Sequence, residues 1–196
     1  MSPSRNARKP VAASGSQSRL RAGIGNDLHR LVTGRKLILG GVRIPFEKGP
    51  VGHSDGDVLA HAICDALLGA GALGDIGRHF PNTSPRWKNA PSLLFLRRVR
   101  QLLAAAGYTI VNIDVTVGLE RPKLAPHIPR ITRKVAAALG LKPDQVSVKA
   151  KSGEGLDAVG RGEAIRADAV ALLQTHRGQS WEDQDRKIKS KGKGQK

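Results

Sequence analysis

Short apolar, β-branched segments alternate along this chain with longer segments that are rich in Ala and Leu. The short segments have the twofold periodicity of β-strands, and the long ones have the periodicity of α-helices. We therefore predict an α/β or α+β fold, in which helices cover one side of a mixed β-sheet. The predicted strands are 36–45, 109–119 and 145–152, and the predicted helices are 53–75, 91–107, 126–141 and 160–174.

These elements define a single domain over residues 20–175, which is long enough to bury a core of its own. Residues 1–19 and 176–196 flank it as basic tails. The chain carries 33 Lys and Arg against 16 Asp and Glu, a net charge of +17, and more than half of that excess lies near the two ends. We expect both tails to be disordered, with non-specific attraction to nucleic acid as the alternative.

The composition narrows the class of protein further. The single cysteine, Cys64, excludes an internal disulfide framework, and its Ala and Ile neighbours indicate a packing residue. No apolar run approaches the roughly 20 residues of a membrane-spanning helix, and we recognise no secretory signal. We expect a protein of the bacterial cytosol, without plastid-type targeting or membrane association.

Ionisable side chains stand out within the apolar helix predicted over 53–75. Asp57, His61 and Asp65 are spaced four residues apart and share one helical face. Asp27 and His29 share one face of their own segment if it is a strand. Two histidines and one carboxylate suit zinc with an open fourth position, and we expect Asp57 or Asp65 to orient a ligand. The alternative for Asp27 and His29 is a surface turn, and the alternative for His61 is a histidine that binds no metal.

Three further segments have compositions that suit phosphate binding. Lys123 lies on a proline-bounded turn after the strand 109–119, where it is either a phosphate contact or a solvated lysine. Residues 149–165 are rich in small side chains and precede a predicted helix, whose N-terminus is able to bind an anion. The long polar loop 74–92 is either functional or a flexible connector.

The motifs of this chain occur together in a known family. They are GxGxDxHxL, LGGVxIP and GHSDGDVxxHAxxDALLGAxALGDIGxHFP, followed by PK with a downstream Pro, VKA and GRGE. From about Leu20 to Leu173 the chain resembles the 2-C-methyl-D-erythritol 2,4-cyclodiphosphate synthase family. The resemblance implies a lyase of the non-mevalonate pathway of isoprenoid biosynthesis. It also implies a compact α/β domain that forms a homotrimer, with active sites between the subunits.

The implied reaction starts from 4-diphosphocytidyl-2-C-methyl-D-erythritol 2-phosphate. Its 2-phosphate attacks the β-phosphorus of the diphosphate, which expels CMP and closes a cyclic diphosphate. Zn²⁺ at each site, and Mg²⁺ or Mn²⁺ bound with the substrate diphosphate, are the implied cofactors. Because no protein nucleophile is needed, catalysis consists mainly of positioning and charge neutralisation.

The resemblance also implies roles for individual residues. Asp27, His29 and His61 match the metal ligands, and His53 and Ser152 match catalytic residues near the reacting phosphates. The residues that match substrate contacts are Asp27, His29, His53, Ser54, Asp75, Ile76, Gly77, Phe80, Pro81, Asn82, Thr83, Ser84, Leu119, Lys123, Leu124, Ala125, Lys151, Ser152, Gly153, Glu154, Ala158 and Arg161.

The chain departs from the family pattern at several of these positions. Asn82 and Ser84 stand where many relatives have carboxylates, and Lys151 adds a positive charge to the expected nucleotide pocket. Ala158 replaces a bulky aromatic residue at the trimer cavity. A zinc-dependent phosphohydrolase or phosphotransferase acting on a related phosphorylated substrate is therefore the alternative function, and nucleic-acid binding through the tails is a more remote one.

Overall fold

The computed structural model describes residues 19–175, so the two predicted tails lie outside the described residues except for Arg19. Seven strands, four α-helices and three short 3-10 turns occur in this range. In chain order, the strands and α-helices are β1 (Leu20–Thr33), β2 (Leu37–Leu39), β3 (Val42–Ile44), β4 (Lys48–Pro50), α1 (Val58–Ala70), α2 (Ile76–His79), α3 (Leu93–Ala105), β5 (Tyr108–Gly118), α4 (Ile128–Leu139), β6 (Val146–Lys151) and β7 (Ala164–Thr175).

Five of the strands form a mixed sheet in the order β4–β1–β7–β5–β6. The pairs β1–β4, β1–β7 and β5–β7 are antiparallel, and β5 and β6 are parallel. The segment predicted as a strand over 36–45 is a separate hairpin of β2 and β3. Its turn residues, Gly40 and Gly41, have φ of 53° and 68°, as a two-residue type I′ turn requires. The predicted mixed sheet in an α/β domain is confirmed.

Helix α1 lies against one face of the sheet and forms the centre of the core. It packs on β1 and β7, and most of its residues are buried. Side chains alternate between the two faces of a strand, so Gly25, Asp27 and His29 of β1 share the face toward α1. Ile24 points to the opposite face and is 74% exposed. Among residues 19–175, none of the helices combines the length and the apolar character needed to cross a lipid bilayer.

The prediction of a helix over 160–174 is wrong. Most of this segment belongs to β7, the central strand, which pairs with β1 on one side and with β5 on the other. Its Ala and Leu residues favour a helix in isolation, but tertiary context overrides that preference. Ala167, Ala169 and Ala171 are buried at alternate positions, where their small side chains leave room for α1.

The other predicted elements occur with shifted ends. The helix predicted over 53–75 begins only at Val58 and ends at Ala70, and the short α2 follows it. The remaining predicted helices and strands correspond to α3, β5, α4 and β6 within two residues at each end. Helix α4 ends at Leu139, and Gly140 caps it with φ of 66°, a left-handed conformation that glycine adopts readily at helix C-termini.

Two glycines of β1 allow α1 to lie directly against the strand. A Cβ atom added at Gly23 would lie 2.1 Å from the carbonyl oxygen of Ala66, and one added at Gly25 would lie 2.2 Å from that of Ala62. Only glycine permits two backbones to approach this closely. The GxG motif therefore sets the separation between the two elements that carry the predicted metal ligands.

Replacing Gly25 by alanine is expected to lower the free energy of unfolding by about 3 kcal/mol, because the added methyl group forces two backbones apart. Zinc affinity is expected to fall as well, since the ligands of β1 move away from α1. Urea-induced unfolding measures the first effect, and competition with a chromophoric zinc chelator measures the second. Gly69→Ala within α1 is the matched control, because its added Cβ would meet its nearest atom only at 3.9 Å. Equal stability of the two variants would contradict this packing argument.

Candidate metal centre and substrate cavities

Three potential metal ligands converge where β1 passes α1. Asp27 and His29 come from β1, and His61 comes from α1. Oδ2 of Asp27 lies 3.0 Å from Nε2 of His29 and 2.9 Å from Nδ1 of His61. One ligand atom of each residue lies within 4.8 Å of the other two. The fold thus brings together the three side chains that the sequence predicts as metal ligands.

The donor atoms and their surroundings fit a cation. Oδ1 of Asp27 accepts a hydrogen bond of 3.0 Å from the backbone N–H of Leu28, which leaves Oδ2 toward the histidines. Nε2 of His29 is buried and makes no hydrogen bond of acceptable geometry within residues 19–175. Two imidazole nitrogens and one carboxylate oxygen are typical of zinc sites that keep an open position.

The electrostatics of the centre favour an ionised Asp27. Burial opposes ionisation of this carboxyl, but the adjacent His29 and His61 side chains and their positive charge hold the pKa of Asp27 well below its usual range. Burial also lowers the pKa of His61, yet the hydrogen bond and charge of Asp27, with the charges of Asp57 and Asp55, raise it overall. Negative charge is therefore concentrated where a metal ion would bind.

The other nitrogen of His61 is held by two serines. Nε2 of His61 lies 2.9 Å from Oγ of Ser92 and 3.1 Å from Oγ of Ser54. Ser92 precedes α3 and donates to the carboxylate of Asp55 through both its hydroxyl and its backbone N–H. Sequence reasoning misses Asp55 and Ser92 as parts of the site, because no local spacing relates residues that are 37 positions apart.

Asp57 holds backbone groups instead of a metal ligand. Its fully buried carboxylate caps α1 by accepting from the N–H of Ala60 at 3.1 Å, and it accepts from Gly40 and Gly41 at 3.0 and 2.8 Å. Burial and the nearby charge of Asp55 raise the pKa of Asp57 to about 6, although the three N–H groups oppose the shift. Asp57 immediately precedes the first residue of α1, and its carboxylate lies against the two glycines that connect β2 and β3.

Asp65 likewise binds backbone, at the start of α2. It accepts from the N–H of Ile76 at 2.7 Å, while Asp75 caps the same short helix by accepting from the N–H of Arg78 at 2.8 Å. The expectation that Asp57 or Asp65 orients a metal ligand gains no support from these contacts and stays a prediction. The hydrogen bonds described for the two carboxylates position α1 and α2, and those that reach His61 come from Asp27, Ser54 and Ser92.

An Asp57→Ala variant is expected to lose at least about 3 kcal/mol in the free energy of unfolding. The change removes the helix cap and leaves two further buried N–H groups without their acceptor. Urea-induced unfolding measures the loss, and Asp144→Ala, which removes an exposed carboxylate, is the control with an expected change within about 0.5 kcal/mol. A variant with unchanged stability but weaker zinc binding would instead support a ligand-orienting role for Asp57.

A cavity of about 510 Å³ opens beside the three ligands. Nε2 of His53 lies 3.3 Å from the carbonyl oxygen of Ser84, so the polar loop after α2 approaches the segment that precedes α1. The residues with predicted substrate contacts that line this cavity are Asp27, His29, His53, Ser54, Ile76, Gly77, Phe80, Pro81, Asn82 and Thr83.

Aromatic rings form an apolar wall of this metal-side cavity. Phe80 and Phe95 stack with ring centroids 4.5 Å apart, and Trp87 meets them edge-on at 5.2 and 5.6 Å. Phe95 also stacks on His61 at 6.1 Å. Sequence reasoning misses Trp87 and Phe95, because a single aromatic residue in a loop or a helix has no periodicity to identify it. The wall limits solvent around His61, and it strengthens the electrostatic interactions there.

A second cavity, of about 830 Å³, lies beside the loop after β5. Arg121, Lys123 and Lys151 line it and provide positive charge. The carboxylate of Glu120 accepts from the N–H of Gly153 at 3.0 Å, which ties the two loops of this cavity together. The residues with predicted substrate contacts that line it are Leu119, Lys123, Leu124, Ala125, Lys151 and Ser152.

The two cavities are separate within one chain. Over residues 19–175, their linings have no residue in common, so the metal ligands and Ser152 line different cavities. The remaining predicted contacts lie outside both linings of the described chain: Asp75 before α2, Ser84 in the loop after α2, and Gly153, Glu154, Ala158 and Arg161 in the loop between β6 and β7. Arg161 pairs there with Glu163 at 3.1 Å.

An α/β domain with a carboxylate and two imidazoles beside a cavity defines the class as that of metal-dependent enzymes. A family model described as the YgbB family matches residues 20–174. The chain belongs to this family. It is similar to the 2-C-methyl-D-erythritol 2,4-cyclodiphosphate synthase of Nitrosospira multiformis, with 55% identity over 160 residues, which are 82% of this chain and 90% of that protein.

Solved structures agree with this assignment. A 2C-methyl-D-erythritol-2,4-cyclodiphosphate synthase in a CDP-bound form is 42% identical, with a TM-score of 0.73, over 78% of this chain and 99% of that one. The bifunctional IspDF of Campylobacter jejuni is 35% identical, with a TM-score of 0.79, over 82% of this chain. This chain spans 44% of that longer protein.

Proposed function

We propose that this chain is an enzyme that forms 2-C-methyl-D-erythritol 2,4-cyclodiphosphate, as the names of its relatives state. The observation that carries the proposal is the convergence of Asp27, His29 and His61 in a chain that matches such synthases across its described domain. The substrate is 4-diphosphocytidyl-2-C-methyl-D-erythritol 2-phosphate. An oxygen of its 2-phosphate forms a bond to the β-phosphorus, the bond from that phosphorus to the CMP oxygen breaks, and CMP leaves.

In this proposal Asp27, His29 and His61 hold Zn²⁺, and Mg²⁺ or Mn²⁺ enters with the substrate diphosphate. A bound zinc ion supplies Lewis-acid stabilisation of phosphate oxygens. The protein orients the ligands from two rigid elements, β1 and α1, so that little reorganisation is needed when charge develops. The aromatic wall on Phe80 and Phe95 excludes water from one side of the reacting groups.

The other residues of the two cavities position the substrate. His53, beside the metal ligands, donates a hydrogen bond to a reacting phosphate, and the hydroxyl of Ser152 contacts the diphosphate from the second cavity. Lys123 and Lys151 neutralise phosphate charge there. A cytidine diphosphate group as part of the ligand is supported by the relative that was solved in a CDP-bound form.

A homotrimer with active sites between subunits is part of the proposal. Its support is the separation of the two cavities within one chain and the apolar sheet face opposite α1. On that face Leu20, Ile24, Leu28 and Val170 are 63%, 74%, 60% and 50% exposed, and Ile24 pairs directly with Val170. Ile24 and Val170 therefore form an exposed apolar pair beside the pairs Asn26–Asp168 and Leu28–Arg166, which include polar side chains, and exposed apolar area with a polar surround is typical of a protein interface.

The test is ³¹P NMR of the cytidyl 2-phosphate substrate with purified protein, Zn²⁺ and Mg²⁺. We expect the resonances of CMP and of a cyclic diphosphate to appear together and in equal amounts. Release of CMP with a linear phosphorylated product would instead indicate the alternative, a zinc-dependent phosphohydrolase or phosphotransferase. The cytoplasmic location and the lack of a specific partner for the tails stay predictions from the sequence.

A further inference from the structure

The cavity that contains Lys123 and Lys151 also contains an acid, Glu120. Arg121 gives the same cavity a third positive charge, so its lining suits a phosphate group except at this carboxylate. A carboxylate repels a phosphate that binds nearby, so its presence in this cavity needs a separate explanation. One contact provides it, because Oε2 of Glu120 accepts a hydrogen bond of 3.0 Å from the backbone N–H of Gly153.

Ser152 lies between two anchored backbone groups. On its N-terminal side, the carbonyl oxygen of Lys151 accepts from the N–H of Leu119 at 2.9 Å. On its C-terminal side, the N–H of Gly153 donates to Glu120 at 3.0 Å. Two consecutive residues of the loop after β5 therefore hold both neighbours of Ser152, one through its backbone and the other through its side chain.

The side-chain contact is needed because β6 lies at the edge of the sheet. In the five-stranded sheet β6 pairs only with β5, and the pairing ends at Gly118 and Lys151. Ser152 follows that end, so no strand on the other side of β6 within residues 19–175 holds it in place. The hydrogen bond from Gly153 to Glu120 extends the connection between the two segments past the last residue of β6.

The loop that follows is packed on Gly153. The carbonyl oxygen of Gly153 accepts from the N–H of Leu156 at 2.9 Å, and Oδ1 of Asp157 accepts from the N–H of Gly160 at 2.9 Å. A Cβ atom added to Gly153 would collide with the backbone nitrogen of Gly160. Because Gly153 is fixed within this loop, its hydrogen bond to Glu120 fixes the start of the loop, which includes Ser152.

We propose that Glu120 is a positioning residue, which holds the hydroxyl of Ser152 in the second cavity by binding the backbone of Gly153. The inference rests on the proposed function in giving Ser152 a contact to the substrate diphosphate. Glu120 itself touches no reacting atom and acts through its neighbours. A displacement of about 1 Å in a group that contacts the reacting atoms is able to lower the rate roughly 10²-fold.

Three substitutions separate the reach of the Glu120 side chain from its charge. Glu120→Gln keeps an acceptor at the same reach without the charge, Glu120→Asp keeps the charge but is one methylene shorter, and Glu120→Ala removes both. In Glu120→Gln we expect kcat for CMP release to stay within about threefold of wild type, because the amide oxygen still accepts from Gly153. In Glu120→Asp and Glu120→Ala we expect kcat to fall by about 10²-fold.

The matched control is Asp144→Ala, which removes an exposed carboxylate before the opposite end of β6. Asp144 lies outside the linings of both described cavities. We expect this control to turn over substrate at close to the wild-type rate. A fall in kcat equal to that of Glu120→Ala would show that any lost acid near β6 has the same effect, and it would overturn the inference.

A double-mutant cycle shows whether Glu120 acts through Ser152. Ser152→Ala removes the hydroxyl that Glu120 is proposed to position. In that background we expect Glu120→Ala to lower kcat by less than about twofold further, instead of by roughly 10²-fold. A substitution that only loosened the fold would lower kcat by the same factor in both backgrounds.

Amide hydrogen exchange at Gly153, followed by NMR, reports the hydrogen bond without substrate. We expect exchange to be at least about tenfold faster in Glu120→Asp and Glu120→Ala than in wild type, and close to wild type in Glu120→Gln. Wild-type kcat in Glu120→Ala, equal losses in Glu120→Gln and Glu120→Asp, or additive losses in the cycle would overturn the inference. If exchange responds as expected but the wild-type protein forms no cyclic diphosphate, the proposed function fails and the anchoring of Gly153 by Glu120 stands.

Discussion

A His29→Ala variant is expected to lose about 10³-fold in turnover of the cytidyl substrate while it keeps its fold. The variant removes one of the three ligand atoms of the candidate centre. A bound metal ion contributes several kcal/mol to the stabilisation of phosphate charge, and each 1.36 kcal/mol corresponds to a factor of ten in rate. The His29 side chain lines the metal-side cavity, and its Nε2 lies 3.0 Å from Oδ2 of Asp27. Its removal therefore enlarges an existing cavity instead of leaving a new one in the core.

The measurement is the rate of CMP release, with bound zinc determined on the same samples. His127→Ala is the matched control, because His127 lies before α4 and outside the linings of the two described cavities. We expect it to turn over substrate at close to the wild-type rate. Full activity of the His29 variant, or a loss of activity with zinc still bound at wild-type affinity, would contradict the metal-ligand role of His29.

An Ile24→Glu variant is expected to be monomeric and to lose activity by about 10²-fold or more. Ile24 is 74% exposed in one chain, so the substitution has little effect on the fold of the protomer. In the proposed trimer the same side chain is covered, and an unpaired carboxylate is strongly disfavoured in an apolar interface. If the two cavities meet only across that interface, separation of the subunits removes the alignment of substrate groups, and even small misplacements are known to reduce rates by about 10²-fold.

Sedimentation velocity measures the assembly, and CMP release measures the activity. Leu94→Glu is the matched control, since Leu94 is also an exposed apolar residue, at 44%, but lies in α3 instead of the sheet. This control is expected to stay trimeric and active. An Ile24 variant that remains trimeric would show that the apolar sheet face is not the interface, and an active monomer would show that one chain holds a complete site.

The candidate metal centre was largely predictable because its parts are local in sequence. Asp27 and His29 lie two residues apart on a strand, so they share a face whatever the rest of the chain does. His61 stands on an apolar helix, where a polar side chain needs a partner. The resemblance to a known family then selects His61 over the two aspartates on its helical face. The structure agrees with that selection, because Asp57 and Asp65 bind backbone N–H groups.

The parts that could not be predicted depend on contacts between distant segments. Asp55 reaches Ser92 from 37 positions away, and no periodicity relates the two. The β7 segment has the composition of a helix, and it is a strand because β1 and β5 offer hydrogen bonds on both of its sides. Local propensity is worth only a few tenths of a kcal/mol per residue, so pairing and burial outweigh it.

The α/β class, the order of most elements and the side chains able to bind a metal are all predictable from the sequence, since each follows from spacing within one element. How these elements meet depends on tertiary packing. The glycines of β1 allow α1 to approach within backbone contact, and this approach places His61 beside Asp27. Because a ligand set requires distances between elements that are far apart in the chain, its geometry follows from packing and not from spacing.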